Sequence, residues 1–162
     1  MSIQHFYLNA ALNVEIEIDL FRDQMTRANL RQSSTAGVTC EVRDASLAVA
    51  QRIEQWLQEY LNKQQPTVAL PLCLEGMPPF ISRVLWALHE VPFGQTLSYG
   101  EMAAHLHHPK AARAVGQACG RNPLILFIPC HRVLAANKRL GGFSSDPSLK
   151  PLLLAHESIV LA

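Results

Sequence analysis

Residues 113–133 read RAVGQACGRNPLILFIPCHRV, and the interpretation of the second half of the chain depends on this stretch. A segment rich in small residues ends at Gly120, an apolar run follows at residues 124–128, and a proline leads into the adjacent pair Cys130 and His131. A cysteine reacts as the thiolate, and its ordinary pKa is about 8.5. His131 is therefore the first candidate for a base that takes the proton of Cys130.

These two neighbouring side chains do not meet on regular backbone, because they point to opposite faces of a strand and diverge on a helix. A bent segment and a bridging water would let His131 act on Cys130, with a carboxylate orienting the far ring nitrogen. Glu157 and Glu101 are both candidates for that carboxylate. On the residues alone, a buried structural cysteine is the ordinary alternative.

Two short helices are predicted before the cysteine. Ser98 and Glu101 form the Ser-x-x-Glu pattern of a capping box, which starts a helix that stops before Pro109. A second helix covers residues 111–120 and carries Arg113 among small residues. Two helices joined by a tight turn predict a helix-turn-helix in which the second helix reads nucleic acid. The alternative is a plain packing unit, since helix pairs of this kind also serve that purpose.

The first half of the chain predicts strands followed by a helix. Residues 13–20 alternate apolar and acidic side chains at the period of a half-buried strand, and residues 3–8 are a candidate partner strand. Ser46 is a plausible N-cap for a helix whose apolar face includes Trp56 and Tyr60, two expected core residues.

The segment at residues 62–79 contains four prolines and separates two units. We place the boundary at residue 76. Residues 1–76 are expected to form an N-terminal α/β support domain and residues 77–162 a second, C-terminal domain. The fold class is α+β, with a small N-terminal sheet plus helix and a mostly helical C-terminal domain with a helix-turn-helix.

Composition is that of an ordinary globular chain: 162 residues, 49% hydrophobic and 17% charged. No apolar run approaches a membrane span, and the N-terminus lacks the pattern of a signal peptide, so we expect a cytoplasmic protein with no membrane association. The four cysteines form no CxxC pair, which favours reduced thiols. Residues 1–76 hold six basic and nine acidic side chains (net −3), and residues 77–162 hold eight and four (net +4). A basic second half is compatible with a polyanionic partner.

The stretch at residues 113–133 resembles the signature of the O6-alkylguanine-DNA alkyltransferase family, roughly R-A-V-G-x-A-x-x-x-N-P-x-x-x-x-x-P-C-H-R-V, and every fixed position is met. The resemblance extends from about Pro79 to Glu157 and takes in PFGQTLSYGEMA at residues 92–103 and LLLAHE at residues 152–157. It implies an N-terminal half of RNase H-like outline. It also implies direct, irreversible transfer of the alkyl group of O6-alkylguanine to the protein, with no cofactor. The partner would be double-stranded DNA containing alkylated guanine, bound by a monomer that reacts once.

The resemblance also implies roles for individual residues. Cys130 would be the alkyl acceptor, His131 the base acting through a water, and Glu157 the carboxylate that orients it. Asn122 would brace the active-site turn, and Arg113 would fill the gap left in the base stack by the extruded nucleotide.

The remaining implied roles concern the flipped base. Tyr99 would contact the guanine and the adjacent phosphate and supply a proton. The reading helix would lie in the minor groove with its small residues, Ala112, Ala114 and Gly116, close to the DNA. One wall of the base pocket would consist of Phe143, Ser144, Ser145 and Lys150.

The sequence departs from the family pattern at several positions. The family usually has a tyrosine where this chain has Phe143, and a glycine-rich loop where it has residues 144–148. These changes bear on the range of alkyl groups and on activity toward O4-alkylthymine. Some family members bind zinc through N-terminal Cys and His residues. This half holds only His5, Cys40 and Cys73, so we predict no structural metal.

Two other functions compete with repair. The first is a non-catalytic alkyl-lesion-binding protein that flags damage for another pathway; such relatives lack the acceptor cysteine, which is present here. The second is a Cys–His hydrolase, which would need an oxyanion hole and a separate base that the sequence does not reveal.

Overall fold

The computed structural model describes residues 2–143 and 145–162. Its N-terminal half is built on a sheet of four strands: β1 (Ile3–Leu8), β2 (Val14–Phe21), β3 (Gln24–Gln32) and β4 (Val38–Arg43). The strands lie in the order β1-β4-β2-β3, with β2 and β4 parallel and the other neighbours antiparallel. The period-two alternation of β2 puts Val14, Ile16 and Ile18 on the buried face of this sheet.

The strand predicted at residues 13–20 is confirmed, but its suggested pairing with residues 3–8 is wrong. β1 pairs with β4, with Ile3 opposite Arg43. Both edges of β2 are already occupied, on one side by β4 and on the other by β3. The β2–β3 hairpin turns through Arg22 and Asp23, which both have positive φ. β1 is left with the outer edge of β4.

Helix α1 (Leu47–Leu61) covers the connection between the two halves of the chain. Ser46 caps it by accepting a hydrogen bond from the Val49 amide at 3.4 Å, as predicted. Trp56 and Tyr60 are buried, which confirms them as core residues. The Trp56 ring also packs against Phe127 of the C-terminal half, with ring centroids 4.7 Å apart.

The C-terminal half is mostly helical. Its helices are α2 (Pro79–His89), α3 (Tyr99–His105), α4 (Ala112–Gly120) and α5 (Leu149–His156). Two short strands, β5 (Leu97–Ser98) and β6 (Val133–Leu134), pair with each other in parallel. The predicted capping box starts α3, and α3 and α4 pack against each other. Over the residues described, none of the helices has the length and apolar character needed to cross a bilayer.

The edge of β3 contacts the segment that leads to the cysteine. The Ala28 amide donates to the Pro123 carbonyl at 2.8 Å, and the Ile125 amide donates to the Ala28 carbonyl at 3.2 Å. The same edge binds the proline-rich connection through Met25 and Pro71. Buried side chains of both halves form a single hydrophobic cluster. The mixed α+β class is confirmed, whereas the division at residue 76 stays a prediction.

Candidate active site

The segment before the cysteine is held by the buried side chain of Asn122. Its Nδ2 atom donates to the Ile128 carbonyl at 2.8 Å, and its Oδ1 atom accepts from the Leu124 amide at 3.0 Å. One amide side chain therefore closes residues 122–128 into a loop. Leu126 has a positive φ of 78° at the tip, a conformation that this closure helps to maintain.

The cysteine and the histidine lie on a single turn of 3₁₀ helix, Cys130–Arg132. This is the bent segment that the sequence argument requires. Cys130 lines an open cavity, whereas His131 is fully buried on the other side of the turn and faces Glu157. The turn thus places a thiol that is only 3% exposed on the cavity wall and its neighbour in the interior.

The carboxylate beside His131 is Glu157, at the C-terminal end of α5. The Nε2 atom of His131 lies 2.6 Å from Oε1 of Glu157. The alternative, Glu101, is wrong for this role, because its carboxylate accepts from the Ser98 amide at 2.6 Å and caps α3 on the surface. In a capping box the acidic side chain bonds to the backbone at the start of its own helix. The spacing that predicts the cap therefore also argues against Glu101 as the partner of His131.

Glu157 accepts hydrogen bonds on both carboxylate oxygens. Oε1 accepts from Arg132 Nη2 at 3.0 Å and from the Tyr60 hydroxyl at 3.0 Å, in addition to His131. Oε2 accepts from Arg132 Nε at 2.8 Å and from the Gly94 amide at 3.1 Å. Burial alone would raise the pKa of Glu157, but its hydrogen bonds and charge interactions with His131 and Arg132 outweigh burial and hold that pKa at about 2. Arg132 is thus the buried salt-bridge partner of Glu157.

His131 is neutral in this environment. Burial lowers the pKa of its imidazole, although the hydrogen bond to Glu157 acts in the opposite direction. Because an ionised carboxylate only accepts, Nε2 must carry the proton and Nδ1 the lone pair. Nδ1 is buried and has no hydrogen-bond partner among the residues described. The imidazole therefore has a basic nitrogen to which no other described residue is hydrogen-bonded.

The cavity at Cys130 has a volume of about 740 Å³. Helix α4 provides much of its wall, and the lining residues are Tyr99, Ala112, Arg113, Gly116, Gln117, Cys119, Gly120, Cys130, Gly142 and Phe143. The predicted site residues did not include Gln117, Cys119, Gly120 or Gly142. Two of these four, Gln117 and Gly120, could have been found, since they follow Arg113 at helical spacing on a single face. Ala114 is half-buried and is not part of this lining.

Tyr99 is the first residue of α3, and its side chain lines the cavity and reaches the loop before α5. Its hydroxyl donates to the Gly142 carbonyl at 3.3 Å. Burial raises the pKa of Tyr99 to about 12, with further contributions from Cys119 and Cys130, so the phenol keeps its proton at neutral pH. Gly141 lies against the same ring and has a φ of +65°.

The other predicted wall residues are distributed differently. Phe143 lines the cavity, but Lys150 is buried behind it and donates to the carbonyls of Val133 at 2.7 Å and Gly142 at 3.0 Å. Burial lowers the pKa of Lys150. The Ser145 hydroxyl donates to the Leu30 carbonyl of β3 at 3.0 Å and is not part of the cavity lining. Ser144 lies outside the described residues.

Arg113 is exposed at the mouth of the cavity. Cys119 is buried in the wall, and burial, followed by the nearby Cys130, raises its pKa to about 12. Within residues 2–143 and 145–162, no group of three or more His, Cys, Asp or Glu side chains could hold a metal ion.

A thiol on the wall of an open cavity, beside a buried imidazole and an ionised carboxylate, is an arrangement typical of sites where a cysteine acts as a nucleophile. Residues 79–159 match the family model of the 6-O-methylguanine DNA methyltransferase DNA-binding domain. The chain is 45% identical over 107 residues to the constitutive methylated-DNA–protein-cysteine methyltransferase of Bacillus subtilis, an alignment that covers 65% of this chain and 64% of that protein.

Solved structures are similar over a larger share of the chain. The crystal structure of the Mycobacterium tuberculosis O6-methylguanine methyltransferase superposes with a TM-score of 0.62 at 30% identity and covers 92% of this chain and 96% of that one. The structure of Mycobacterium tuberculosis OGT in complex with DNA gives a TM-score of 0.67 at 32% identity over 90% and 92%. The chain belongs to the O6-methylguanine-DNA methyltransferase family. Its alignment to the Bacillus protein spans just under two thirds of that relative's length.

Proposed function

We propose that this protein repairs DNA by transferring the alkyl group of O6-alkylguanine directly and irreversibly to the sulfur of its own Cys130. The observation that carries the proposal is the placement of Cys130 on the wall of an open cavity, one residue from the buried His131–Glu157 pair. Family membership and the DNA-bound structural relative support DNA as the partner. The same site would act on O4-alkylthymine if the cavity admits the smaller base.

The first step of the proposed reaction is extrusion of the base. The alkyl group lies inside the duplex, and flipping the nucleotide out costs a few kcal/mol. Helices α3 and α4 would act as a helix-turn-helix, with Ala112, Ala114 and Gly116 letting α4 approach the minor groove closely. Arg113, exposed at the cavity mouth, would fill the gap in the base stack. The minor groove carries little sequence information, which suits a protein that must find lesions anywhere.

Activation of the thiol would follow from the buried pair. The proton of Cys130 passes through a bridging water to Nδ1 of His131, and the resulting imidazolium is stabilised by Glu157. The carboxylate does not take this proton, because its pKa is about 2. Asn122 would keep the turn that presents Cys130 in place through its hydrogen bonds to Leu124 and Ile128.

In the transfer step the sulfur of Cys130 forms a bond to the alkyl carbon as the bond from that carbon to O6 breaks. The electron pair of the broken bond stays on guanine, and the Tyr99 hydroxyl or water supplies the proton that neutralises it. The product is a thioether, which is too stable to reverse, so each molecule would act once. Phe143 would contact the flipped base, while Lys150 and Ser145 would hold the loop behind it through their bonds to backbone carbonyls.

Every residue in this scheme belongs to one chain, so we propose a monomer. We also infer a cytoplasmic location, because the four cysteines of the sequence form no CxxC pair, a usage that favours reduced thiols.

Intact-protein mass spectrometry tests the proposal. The protein is mixed with an equimolar duplex containing one O6-methylguanine, beside Cys130→Ala and the matched control Cys119→Ala, which removes a thiol from the same cavity. We expect one added methyl group on the wild type and on Cys119→Ala, and none on Cys130→Ala. Tight binding of the lesion duplex without any gain in mass would instead indicate a non-catalytic lesion-binding protein.

A further inference from the structure

We propose that Tyr60, on α1 in the N-terminal half, is a positioning residue for the active site, and that its hydroxyl sets the proton affinity of His131 through Glu157. Tyr60 lies 97 positions before Glu157 in the chain and contributes to no wall of the cavity. The expected effect of Tyr60 on the rate of alkyl transfer rests on the proposed function, whereas its expected effect on the pKa of His131 does not.

The hydroxyl of Tyr60 has a fixed direction. The side chain is fully buried, and its ring stacks on Trp56 with centroids 5.5 Å apart and an interplanar angle of 9°. Phe93 meets the same ring edge-on at 5.6 Å. The backbone carbonyl of Tyr60 accepts a hydrogen bond from His156 Nε2 at 2.9 Å. Packing on these sides directs the hydroxyl to Oε1 of Glu157, 3.0 Å away.

The Tyr60 hydroxyl keeps its proton and therefore remains a hydrogen-bond donor to Glu157. Burial, followed by the nearby charge of Glu157, raises the pKa of Tyr60 well above its ordinary value, so the phenol remains a donor. Oε1 of Glu157 therefore accepts from three donors at once: His131, Arg132 and Tyr60. Each donor withdraws part of the negative charge that the others experience.

Without the Tyr60 hydroxyl, the carboxylate of Glu157 would act on His131 with more of its negative charge. A stronger negative partner favours the protonated imidazole, so the pKa of His131 would rise. The other charged or titratable groups around the cluster remain in place: Arg132 on the same carboxylate, Lys150, which opposes protonation of His131, and His156 against the Tyr60 ring. The pKa of His131 should therefore rise, because only the Tyr60 donor is removed.

The test is Tyr60→Phe in the full chain, which keeps the ring and removes the hydroxyl. The titration of His131 is followed by NMR of histidines labelled with ¹⁵N, in the free protein without DNA. We expect the midpoint to move upward by roughly half to one pH unit, a part of what one hydrogen bond to a charged group can cause. The acid limb of the alkyl-transfer rate against pH would move by the same amount.

Ile53→Val is the control. Ile53 is fully buried on the same helix, so its truncation lowers the melting temperature by a packing effect, but the His131 titration should not change. In the wild type, the hydroxyl proton of Tyr60 should exchange slowly with water, a readout that needs no variant to fold. Identical His131 curves for wild type and Tyr60→Phe, or a fast-exchanging hydroxyl proton, would overturn the inference. A shifted titration in proteins that transfer no alkyl group would overturn the proposed function and leave the positioning role intact.

Discussion

The Nε2 atom of His131 lies 2.6 Å from Oε1 of Glu157, and both side chains are buried, although the two residues are 26 positions apart in the chain. This contact fixes the tautomer of His131 and leaves Nδ1 as the basic nitrogen. It also ties the turn that carries Cys130 to the end of α5. Changes at this contact should therefore affect both reactivity and stability.

Replacing Glu157 with Gln should slow alkyl transfer by about 10²-fold or more, the lower range for loss of general acid–base assistance. It should also destabilise the protein by about 3 kcal/mol, because Arg132 would keep a buried charge without its partner. Single-turnover kinetics and urea unfolding measure the two effects. Glu101→Gln is the matched control, since it alters a surface carboxylate that caps α3. Equal losses in the two variants would contradict the assignment.

Stability should fall with acid in two stages. Burial depresses the folded pKa of His131 below its ordinary value near 6.5, so the unfolded chain binds a proton first and stability declines as the pH drops below about 6.5. The folded pKa of Glu157 is depressed from 4.5 to about 2, so its contribution is present above pH 4.5 and is lost between these two values. The second stage is worth about 3 kcal/mol, at 1.36 kcal/mol per unit of pKa.

Urea unfolding of the wild type at a series of pH values from 7 down to 3 would reveal both stages. In Glu157→Gln the second stage should be much reduced, because the group that titrates there is absent. A wild-type stability that stays constant over this range would contradict both pKa assignments.

Gly141→Ala should disturb Tyr99 and destabilise the last loop. A Cβ atom at Gly141 would lie 3.1 Å from the Tyr99 ring and hydroxyl, and the φ of +65° adds a backbone cost of about 1–2 kcal/mol for a residue with a side chain. Gly142→Ala is the control, because a Cβ atom there meets nothing within 4 Å and its φ lies outside the left-handed region. Thermal unfolding should separate the two variants, and equal melting temperatures would argue against close packing at Gly141.

Asn122→Ala should open the loop before the cysteine. Two buried backbone groups, the Ile128 carbonyl and the Leu124 amide, would lose their partner at a cost of about 1–3 kcal/mol each. Asn122→Asp can still accept from Leu124, but its ionised carboxylate would be buried against the Ile128 carbonyl, so it should be at least as destabilising as Asn122→Ala near neutral pH. Hydrogen exchange at the Leu124 amide reports the opening directly. An unchanged exchange rate in Asn122→Ala would show that the loop does not depend on this side chain.

Local patterns predicted the elements of the fold better than their arrangement. The alternation in β2, the Ser46 cap and the Ser98–Glu101 capping box each depend on neighbours in sequence, and all three were predicted correctly. The pairing of β1 with β4 was not, because strand partners are chosen by which edges remain after β3 and β4 have paired with β2. That choice is made in three dimensions and leaves no local signal.

The site shows the same division. The motif located Cys130, but spacing alone left Glu101 and Glu157 as equal candidates, and the fold brings only Glu157 to His131. Lys150 was placed on the cavity wall, whereas its long side chain reaches backbone carbonyls behind that wall. Tyr60 was assigned only to the core. A residue that is buried and also donates one directed hydrogen bond has the sequence pattern of an ordinary core residue.

The two backbone hydrogen bonds of Ala28 in β3, donated to the Pro123 carbonyl and accepted from the Ile125 amide, have a consequence for how this protein would fail. An outer strand with unpaired backbone groups invites strands from other molecules, and proteins commonly cover such edges. Here the segment that leads to Cys130 is part of that cover. Damage that pulls the segment away would displace Cys130 and, by the same movement, expose a template for aggregation. Loss of the candidate site and loss of solubility would then occur together.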